Sequence, residues 1–360
     1  MNIKSLIDAR RLGVVTAAAL AATLGVATTA AATPYRGSSH VAAPESDSTS
    51  VANDTLTIAG TNGPDQVTIE LRSDLRTLVV GFGGDGSNDQ KFDRNTFSAI
   101  NVFLRGGNDR FSVSGAPFSD ERLTVDAGDG DDNVQTGAGN DVIIGGDGND
   151  IINSGGGNDT IDSGAGADQV TGGTGTDTAF LGSESDSFVW NPGDGSDFVH
   201  GDGGVDTLVF NGSPGDEVMN LSAIGGHAVF LRDPGQVRME LDSVERLNLR
   251  PLSGADAITI NDTSGTALLQ TNIDLSVAGN GDGRIDTVTV NGTDQADHVR
   301  VHPEGSRVDV RGLQPETRIA GSESTDRLQV NTLGGDDRVN VGDGVSRLIS
   351  VGVDLGAGQR

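Results

Sequence analysis

One apolar residue recurs every nine positions through the middle of the chain. From Ala127 the sequence divides into seven consecutive nine-residue repeats, here called nonads; two residues interrupt them, and two more nonads end at Val209. The eighth position is apolar in all nine nonads: Val134, Ile143, Ile152, Ile161, Val170, Ala179, Phe188, Val199 and Leu208. One inward-facing residue cannot form a core alone, so this interval predicts short strands stacked into coils, with an apolar column inside.

The polar positions of the nonads predict a turn that binds a cation. The sixth position is always aspartate: Asp132, Asp141, Asp150, Asp159, Asp168, Asp177, Asp186, Asp197 and Asp206. Positions two and four are glycine in the first five nonads: Gly128, Gly130, Gly137, Gly139, Gly146, Gly148, Gly155, Gly157, Gly164 and Gly166. Glycine permits a positive φ and a tight turn that gathers carbonyl oxygens. Carbonyl and carboxylate oxygens in a loose geometry favour Ca²⁺ over Mg²⁺.

This motif resembles the GGxGxDxUx repeat of the RTX, or haemolysin-type, calcium-binding proteins. The resemblance implies a parallel β-roll in which each nonad is half a coil, with calcium between turns two nonads apart. It implies five well-defined sites, with a few more at the ends of the block: Asp132–Asp150, Asp141–Asp159, Asp150–Asp168, Asp159–Asp177 and Asp168–Asp186. The sequence departs from the motif at Glu184, at Asp202 and at the Trp190-Asn191 insertion, which makes the later sites weaker candidates.

Charge supports this interpretation of the nonad block, residues 127–209. The block contains sixteen Asp and Glu residues and neither Lys nor Arg, and the whole chain has a formal net charge of −28. Carboxylates stacked ~5 Å apart repel one another, so we expect Ca²⁺ to fold the block. A solvated Gly/Asp linker would share the composition but not the apolar eighth position. The acidic surface also argues against nucleic acid and anionic lipid as partners.

A longer repeat flanks the nonads. Similar segments begin at Asn53, Val205 and Ile285, and each runs through alternating strands to a Gly/Asp turn that closes it, at Arg105, Ser253 and Gly334. We therefore predict an all-β fold: a parallel β-roll or β-solenoid at 127–209, between degenerate β-solenoid regions at 53–126 and 210–360.

The N-terminus predicts export. Basic residues precede an apolar, alanine-rich stretch and an A-x-A site, which indicates a signal peptide at 1–32, of the Sec type rather than twin-arginine. A flexible leader is predicted at 33–52. No later segment is apolar enough for a membrane span, and there is no cysteine. We expect a bacterial protein that is secreted or loosely attached to the cell surface.

The known catalytic motifs that we sought do not occur in the sequence. None of the five histidines lies in HExxH, and there is no G-x-S-x-G or Walker loop. His298 and His302 should share one side of a strand, as a surface pair, and Trp190 is expected to be a local plug. Two hypotheses follow. The first is a non-enzymatic calcium-binding protein with a structural, adhesive or matrix role, whose partner is an extracellular polymer or a cell surface. The alternative is an accessory or truncated part of an extracellular hydrolase or toxin.

Overall fold

The structure is a computed structural model that describes residues 46–83, 88–115 and 122–356. The predicted signal peptide and most of the predicted leader lie outside these residues. Contacts within the chain divide it into two units, Met1–Asp168 and Gln169–Arg360. The described residues form β-strands and two short 3₁₀ turns, at Arg94–Thr96 and Val345–Arg347, and they contain no helix long and apolar enough to cross a membrane.

The first unit contains twelve described strands. They are β1 Ser48–Ala52, β2 Thr55–Ala59, β3 Gln66–Leu71, β4 Thr77–Phe82, β5 Gln90–Asp93, β6 Ala99–Phe103, β7 Arg110–Gly115, β8 Leu123–Asp129, β9 Asn133–Gln135, β10 Val142–Asp147, β11 Ile151–Asn153 and β12 Thr160–Ala165. One sheet has the order β1-β2-β6-β8-β10-β12, and the other has the order β11-β9-β7-β3-β4-β5. From β6 to β12 successive strands alternate between the sheets, so two nonads make one coil.

Register in the first unit follows this two-nonad coil. Val125, Ile143 and Ile161 are successive partners along the parallel strands β8, β10 and β12. Val134 and Ile152 pair in the same way between β9 and β11. Each of these side chains is at most 1% exposed. The predicted parallel β-roll with an inward-facing eighth position is therefore confirmed.

The last five residues of the predicted leader form a strand. β1 pairs antiparallel with β2, and the turn between them places Asn53 and Asp54 at φ of 51° and 64°. Two successive residues with positive φ match the right-handed twist of a two-residue hairpin, and Asn and Asp tolerate that conformation better than most residues. The prediction of a flexible leader up to residue 52 is corrected for Ser48–Ala52.

The second unit contains eighteen described strands. They are β13 Gln169–Thr171, β14 Thr178–Phe180, β15 Ser187–Trp190, β16 Phe198–His200, β17 Thr207–Asn211, β18 Val218–Ile224, β19 His227–Asp233, β20 Val237–Asp242, β21 Arg246–Arg250, β22 Ala257–Ile260, β23 Gln270–Asp274, β24 Thr287–Asn291, β25 His298–Glu304, β26 Arg307–Arg311, β27 Glu316–Ala320, β28 Arg327–Asn331, β29 Arg338–Val341 and β30 Ser350–Asp354. One sheet has the order β14-β16-β20-β19-β18-β22-β24-β28-β30, and the other has the order β13-β15-β17-β21-β23-β27-β26-β25-β29.

Each long repeat is a coil that contains an antiparallel meander. The meanders are β3-β4-β5, β18-β19-β20 and β25-β26-β27. Along the chain, each meander is preceded and followed by strands that pair in parallel. The predicted flanking strands are present, but the degenerate solenoid expected for these regions is not purely parallel. Period-2 alternation predicted strands and could not show pairing direction, because both directions bury alternate residues.

The Trp190-Asn191 insertion lengthens one coil without ending the stack. Trp190 is fully buried at the end of β15 and stacks on its register partner Phe210, with ring centroids 4.1 Å apart. Its indole N–H donates to the carbonyl of Gly195 at 2.8 Å. The expectation of a local plug is confirmed, since Trp190 presents no face to solvent.

Candidate metal centre

Aspartates of the first unit form a ladder of side-chain to backbone hydrogen bonds. The backbone N–H of Asp132 donates to Oδ1 of Asp150, and that of Asp150 donates to Oδ1 of Asp168, both at 2.8 Å. On the opposite turns, the N–H of Asp141 donates to Oδ1 of Asp159 at 2.8 Å. Each bond spans 18 residues, so the structure brings together carboxylates two nonads apart, as the resemblance implied. We call this arrangement the carboxylate ladder.

The second carboxylate oxygens of the ladder are buried. Asp132 and Asp150 are 2% and 1% exposed, and among the described residues the Oδ2 atom of each has no hydrogen-bond partner. A buried acceptor without a partner loses its hydration without compensation, which costs ~1–3 kcal/mol, and more when it is charged. These oxygens therefore need either a proton or a cation.

The pKa values of the ladder aspartates also show that their buried carboxylates lack compensation for lost hydration. Burial raises the pKa of Asp150 to about 8; the hydrogen bond from Asp132 opposes the rise, and the neighbouring carboxylates of Asp168 and Asp132 add to it. Burial also raises the pKa of Asp132 and that of Asp141 to about 6. The metal-free turns therefore disfavour the charged form of their own side chains.

A glycine at the first position leaves space beside these oxygens. A Cβ added at Gly145 would overlap both Oδ2 of Asp150 and the carbonyl oxygen of Ser163. A carboxylate oxygen and a backbone carbonyl oxygen thus lie on the same side of Gly145, where a side chain would fill the space between turns. Hard oxygen donors of this kind suit Ca²⁺.

In most nonads the second and fourth positions take the left-handed backbone, whichever residue occupies them. Gly146 has φ of 127°, and a Cβ there would overlap the carbonyl of Gly128 in the stacked turn. Glu184 and Asp202, which replace glycine at these positions, have φ of 74° and 62°. The turn geometry is kept at both departures from the motif, at a cost in backbone strain.

In the second unit the predicted residues form shorter ladders. The N–H of Asp177 donates to Oδ1 of Asp197 at 3.0 Å, and that of Asp186 donates to Oδ1 of Asp206 at 2.9 Å. Both bonds span 20 residues, because the coil includes the two inserted residues. Burial raises the pKa of Asp197 to about 7.

The ladder also includes carboxylates that the sequence prediction missed. The N–H of Asp109 donates to Oδ1 of Asp132 at 2.7 Å, and that of Asp256 donates to Oδ1 of Asp286 at 2.9 Å. Burial raises the pKa of Asp109 and that of Asp256 to about 7. Their signal was present: an apolar residue follows each aspartate by two positions. It was hidden because Arg105 and Leu252 occupy the second position, at φ of 81° and 70°.

Other ladder turns already satisfy their carboxylates. At Asp65, the Thr61 amide donates to Oδ2 at 2.6 Å, and the Thr61 hydroxyl lies 3.2 Å from Oδ1. Thr293 contacts Asp297 in the same way. Since local donors reach both oxygens, these turns are poorer cation sites than that of Asp150.

Arginine replaces an external cation at one turn. Glu217 stands at the sixth position of a degenerate nonad and is 1% exposed. Its Oε1 accepts from Nε of Arg232 at 2.8 Å and also forms a close ion pair with Nη2 of that arginine. Nη2 donates in addition to the hydroxyl of Ser213 at 2.7 Å. Arg232 lies on β19, within a meander, and its guanidinium is 5.3 Å from the centroid of the Trp190 ring.

The family comparison agrees with this geometry. The model of the RTX calcium-binding nonapeptide repeat matches four times, at residues 126–161, 147–179, 154–188 and 193–217. The chain contains RTX calcium-binding repeats. No curated protein matches the chain. The matched residues include every sixth-position aspartate from Asp132 to Asp206, and the fourth match ends at Glu217, where Arg232 supplies a positive charge.

The residues present fit the calcium ion that RTX repeats bind. Within the described ranges, no three Asp, Glu or His side chains gather around one point. The donors at the Gly145 turn are instead one buried carboxylate oxygen and a backbone carbonyl. An RTX turn of this kind takes Ca²⁺ through a mixture of the two.

Proposed function

We propose that this chain is a secreted, non-enzymatic calcium-binding protein that folds when it meets Ca²⁺ outside the cell. The observation that carries the proposal is the carboxylate ladder of the nonad block. Its buried Oδ2 atoms at Asp132 and Asp150 lack hydrogen-bond partners within the part of the chain that the structure describes, and the block contains no Lys or Arg to neutralise them. RTX repeats are typical of secreted proteins, which agrees with the proposed localisation.

Calcium would supply the charge that the nonads lack. The sixth-position aspartates and the carbonyls of the glycine turns would hold it, and its positive charge would offset their mutual repulsion. Each site stabilises the folded state by RT ln(1 + [Ca²⁺]/Kd), and neighbouring sites share carboxylates through the ladder. Folding should therefore be cooperative in Ca²⁺.

This dependence suits export. Cytosolic free Ca²⁺ is far below the ~10⁻⁴–10⁻³ M affinity range of extracellular modules, so the nonads would stay unfolded before secretion. Millimolar Ca²⁺ outside would then fold them. The folded chain would act through its repeated surface, in a structural, adhesive or matrix role, rather than through a catalytic pocket.

A calcium titration tests the proposal. Circular dichroism and Trp190 fluorescence should report a cooperative gain of β-structure, and calorimetry should give about five ions or more. Amide exchange should locate the gain: the amides of β8 to β12 should be protected only with Ca²⁺, whereas those of β18 and β19, beside Arg232, should remain protected in chelator. The same β signal in chelator as in Ca²⁺ would refute the proposal. Turnover of casein, lipid or polysaccharide by the purified protein would refute its non-enzymatic part.

A further inference from the structure

The outer face of one sheet in the second unit is rich in arginine. In the sheet order β21-β23-β27-β26-β25-β29, the valines of β25 and β26 are buried. The residues that alternate with them therefore face outward, including Arg300 on β25 and Arg307 and Arg311 on β26. We call the outward surface of these six strands the arginine face.

One open groove on this face holds two arginines and two histidines. Its volume is about 440 Å³, and its lining includes His298, Arg300, His302 and Arg311. Arg300 and Arg311 are direct register partners. Like charges directly opposite each other on a sheet are unfavourable unless something compensates them. Arg311 contacts Asp309 at 2.9 Å, whereas Arg300 forms no ion pair with any residue that the structure describes.

A second groove lies on the same face. It measures about 310 Å³, and its lining includes Arg250, Arg307 and Arg318 together with the amides of Asn248 and Asn272. The Nε atom of Arg318 is buried and has no hydrogen-bond partner among the residues that the structure describes. A buried donor of this kind has a free-energy deficit that an anionic acceptor would remove.

Charge selects the class of occupant. The five arginines of the two grooves share four nearby carboxylates, those of Asp274, Glu304, Asp309 and Glu316. This local excess of positive charge occurs in a chain of net charge −28. The net negative charge of the chain repels anions in general. The local excess of positive charge favours a negatively charged ligand at this face alone.

The shape of the two grooves further restricts the class of ligand. Both grooves are open and lie across strands spaced ~4.8 Å apart, so an extended chain crossing the strands would meet one cationic side chain after another. Guanidinium groups bind planar carboxylate or sulfate in a bidentate manner, and the asparagine amides can bind hydroxyl groups. We propose that the arginine face binds a linear anionic polysaccharide that carries carboxylate or sulfate groups.

This inference rests on the proposed function, because it names the chemistry of the extracellular polymer. Calorimetry in saturating Ca²⁺ with dextran sulfate, carboxymethyl dextran and neutral dextran tests it. We expect the two anionic polymers to bind, the neutral one not to, and affinity to fall as NaCl rises. The double variant Arg300→Gln/Arg318→Gln should lose about tenfold in affinity, from two exposed charge contacts.

A matched control removes the same charge elsewhere. Arg72 and Arg238 are partly exposed and pair with acids two residues away, so Arg72→Gln/Arg238→Gln should bind as the wild type does. Equal affinity of both double variants, or binding to neutral dextran, would overturn the inference. So would double-stranded DNA or phosphatidylserine vesicles that bind as tightly as dextran sulfate, or a self-association that the Arg300/Arg318 variant abolishes.

The two proposals can fail separately. Circular dichroism of the same samples reports calcium-dependent folding independently of the polymer. A protein that Ca²⁺ folds and that ignores both anionic dextrans overturns the arginine face alone. A protein that binds these dextrans with the same β signal in chelator overturns the proposed function alone.

Discussion

Asp150 and Glu217 occupy equivalent positions in their turns but neutralise a buried carboxylate in different ways. Asp150 lies in a run of nonads without a basic residue, and no described residue donates a hydrogen bond to its Oδ2. Glu217 lies beside a meander, and Arg232 from that meander pairs with its Oε1. The nonads bring no basic residue to the first turn, whereas Arg232 brings one to the second. Oε2 of Glu217 is nevertheless buried without a hydrogen-bond partner among the described residues, as Oδ2 of Asp150 is.

The difference shows what the meanders add to the coil. A nonad is too short to bring in a long basic side chain from elsewhere, since all nine of its residues form the turn and the strand. An inserted hairpin supplies a neighbouring strand, and its residues can reach back to the turn. Arg232 does so at Glu217. Within the meander strand β26 itself, Arg307 and Arg311 cover the fully buried Asp309. Calcium dependence should therefore be a property of the nonads rather than of the whole chain.

The largest expected effect comes from removing the internal cation. Arg232→Met should reduce the free energy of unfolding by about 3–5 kcal/mol, because it leaves the buried carboxylate of Glu217 unpaired. Calcium should not restore the loss if Arg232 replaces the ion at this turn. Chemical denaturation in Ca²⁺ and in chelator measures both.

Arg238→Gln is the matched control for Arg232. Arg238 pairs with Glu240 on the same strand, β20, at 2.8 Å but is 41% exposed, so we expect a loss of at most about 1 kcal/mol. The comparison fails if the two variants lose similar stability. It also fails if millimolar Ca²⁺ rescues Arg232→Met, since the turn would then be an ordinary calcium site.

A smaller effect, of opposite sign in the two conditions, is expected for Asp150→Asn. In Ca²⁺ this variant should bind fewer ions and lose about 1–3 kcal/mol of stability. In chelator near pH 8 it should be more stable than the wild type, because the amide removes a buried charge. Calorimetry and denaturation in both conditions measure the reversal of sign.

Asp197→Asn sharpens this test. Asp150 is linked to ladder carboxylates on both sides, Asp132 and Asp168, whereas Asp197 accepts from Asp177 alone. We therefore expect the same signs with a smaller size at Asp197. Equal effects at the two aspartates would contradict the role assigned to the uninterrupted ladder.

A further expected effect is a pH dependence of the metal-free protein. Burial raises the pKa of Asp150 to about 8. The folded state then holds the proton more tightly than the unfolded state, so this contribution to stability is fully present below pH ~4 and is lost as the pH rises through about 8. Thermal unfolding in chelator between pH 5 and 9 should show the loss, and Asp150→Asn should flatten it.

Asp309 should contribute with the opposite sign. Burial alone would raise its pKa, but Arg307 and Arg311 outweigh burial and lower it. Its contribution is therefore present above the ordinary pKa of an aspartate and is lost only as the pH falls through its lowered pKa. A metal-free wild type whose stability rises steadily from pH 5 to 8 would show that the ladder carboxylates stay ionised, against their raised pKa.

Much of the central fold could be predicted from the sequence. The apolar eighth position and the aspartate at the sixth recur at a fixed interval, and both are local requirements of each turn. The parallel register of Ile143 with Ile161 and the proximity of Asp132 to Asp150 followed from the resemblance to RTX repeats that this pattern carries. The strand β1 and the ladder turn of Asp109 were missed. Their signals depend on pairing with a distant strand or on a positive φ at a residue other than glycine.

The sequence alone determined the repeat, its oxygen donors and its lack of internal counter-charges, because each of these is a property of nine consecutive residues. Only the tertiary structure decided which carboxylates remain without partners. Asp65 and Asp150 both stand at the sixth position of a repeat. The Thr61 amide donates a hydrogen bond to Oδ2 of Asp65, whereas no described residue donates one to Oδ2 of Asp150. Arg232 and Glu217 are fifteen residues apart, and only the folding of a meander onto its own coil brings the guanidinium to the carboxylate. Neutralisation of a buried charge depends on distance in space, which a local sequence pattern does not encode.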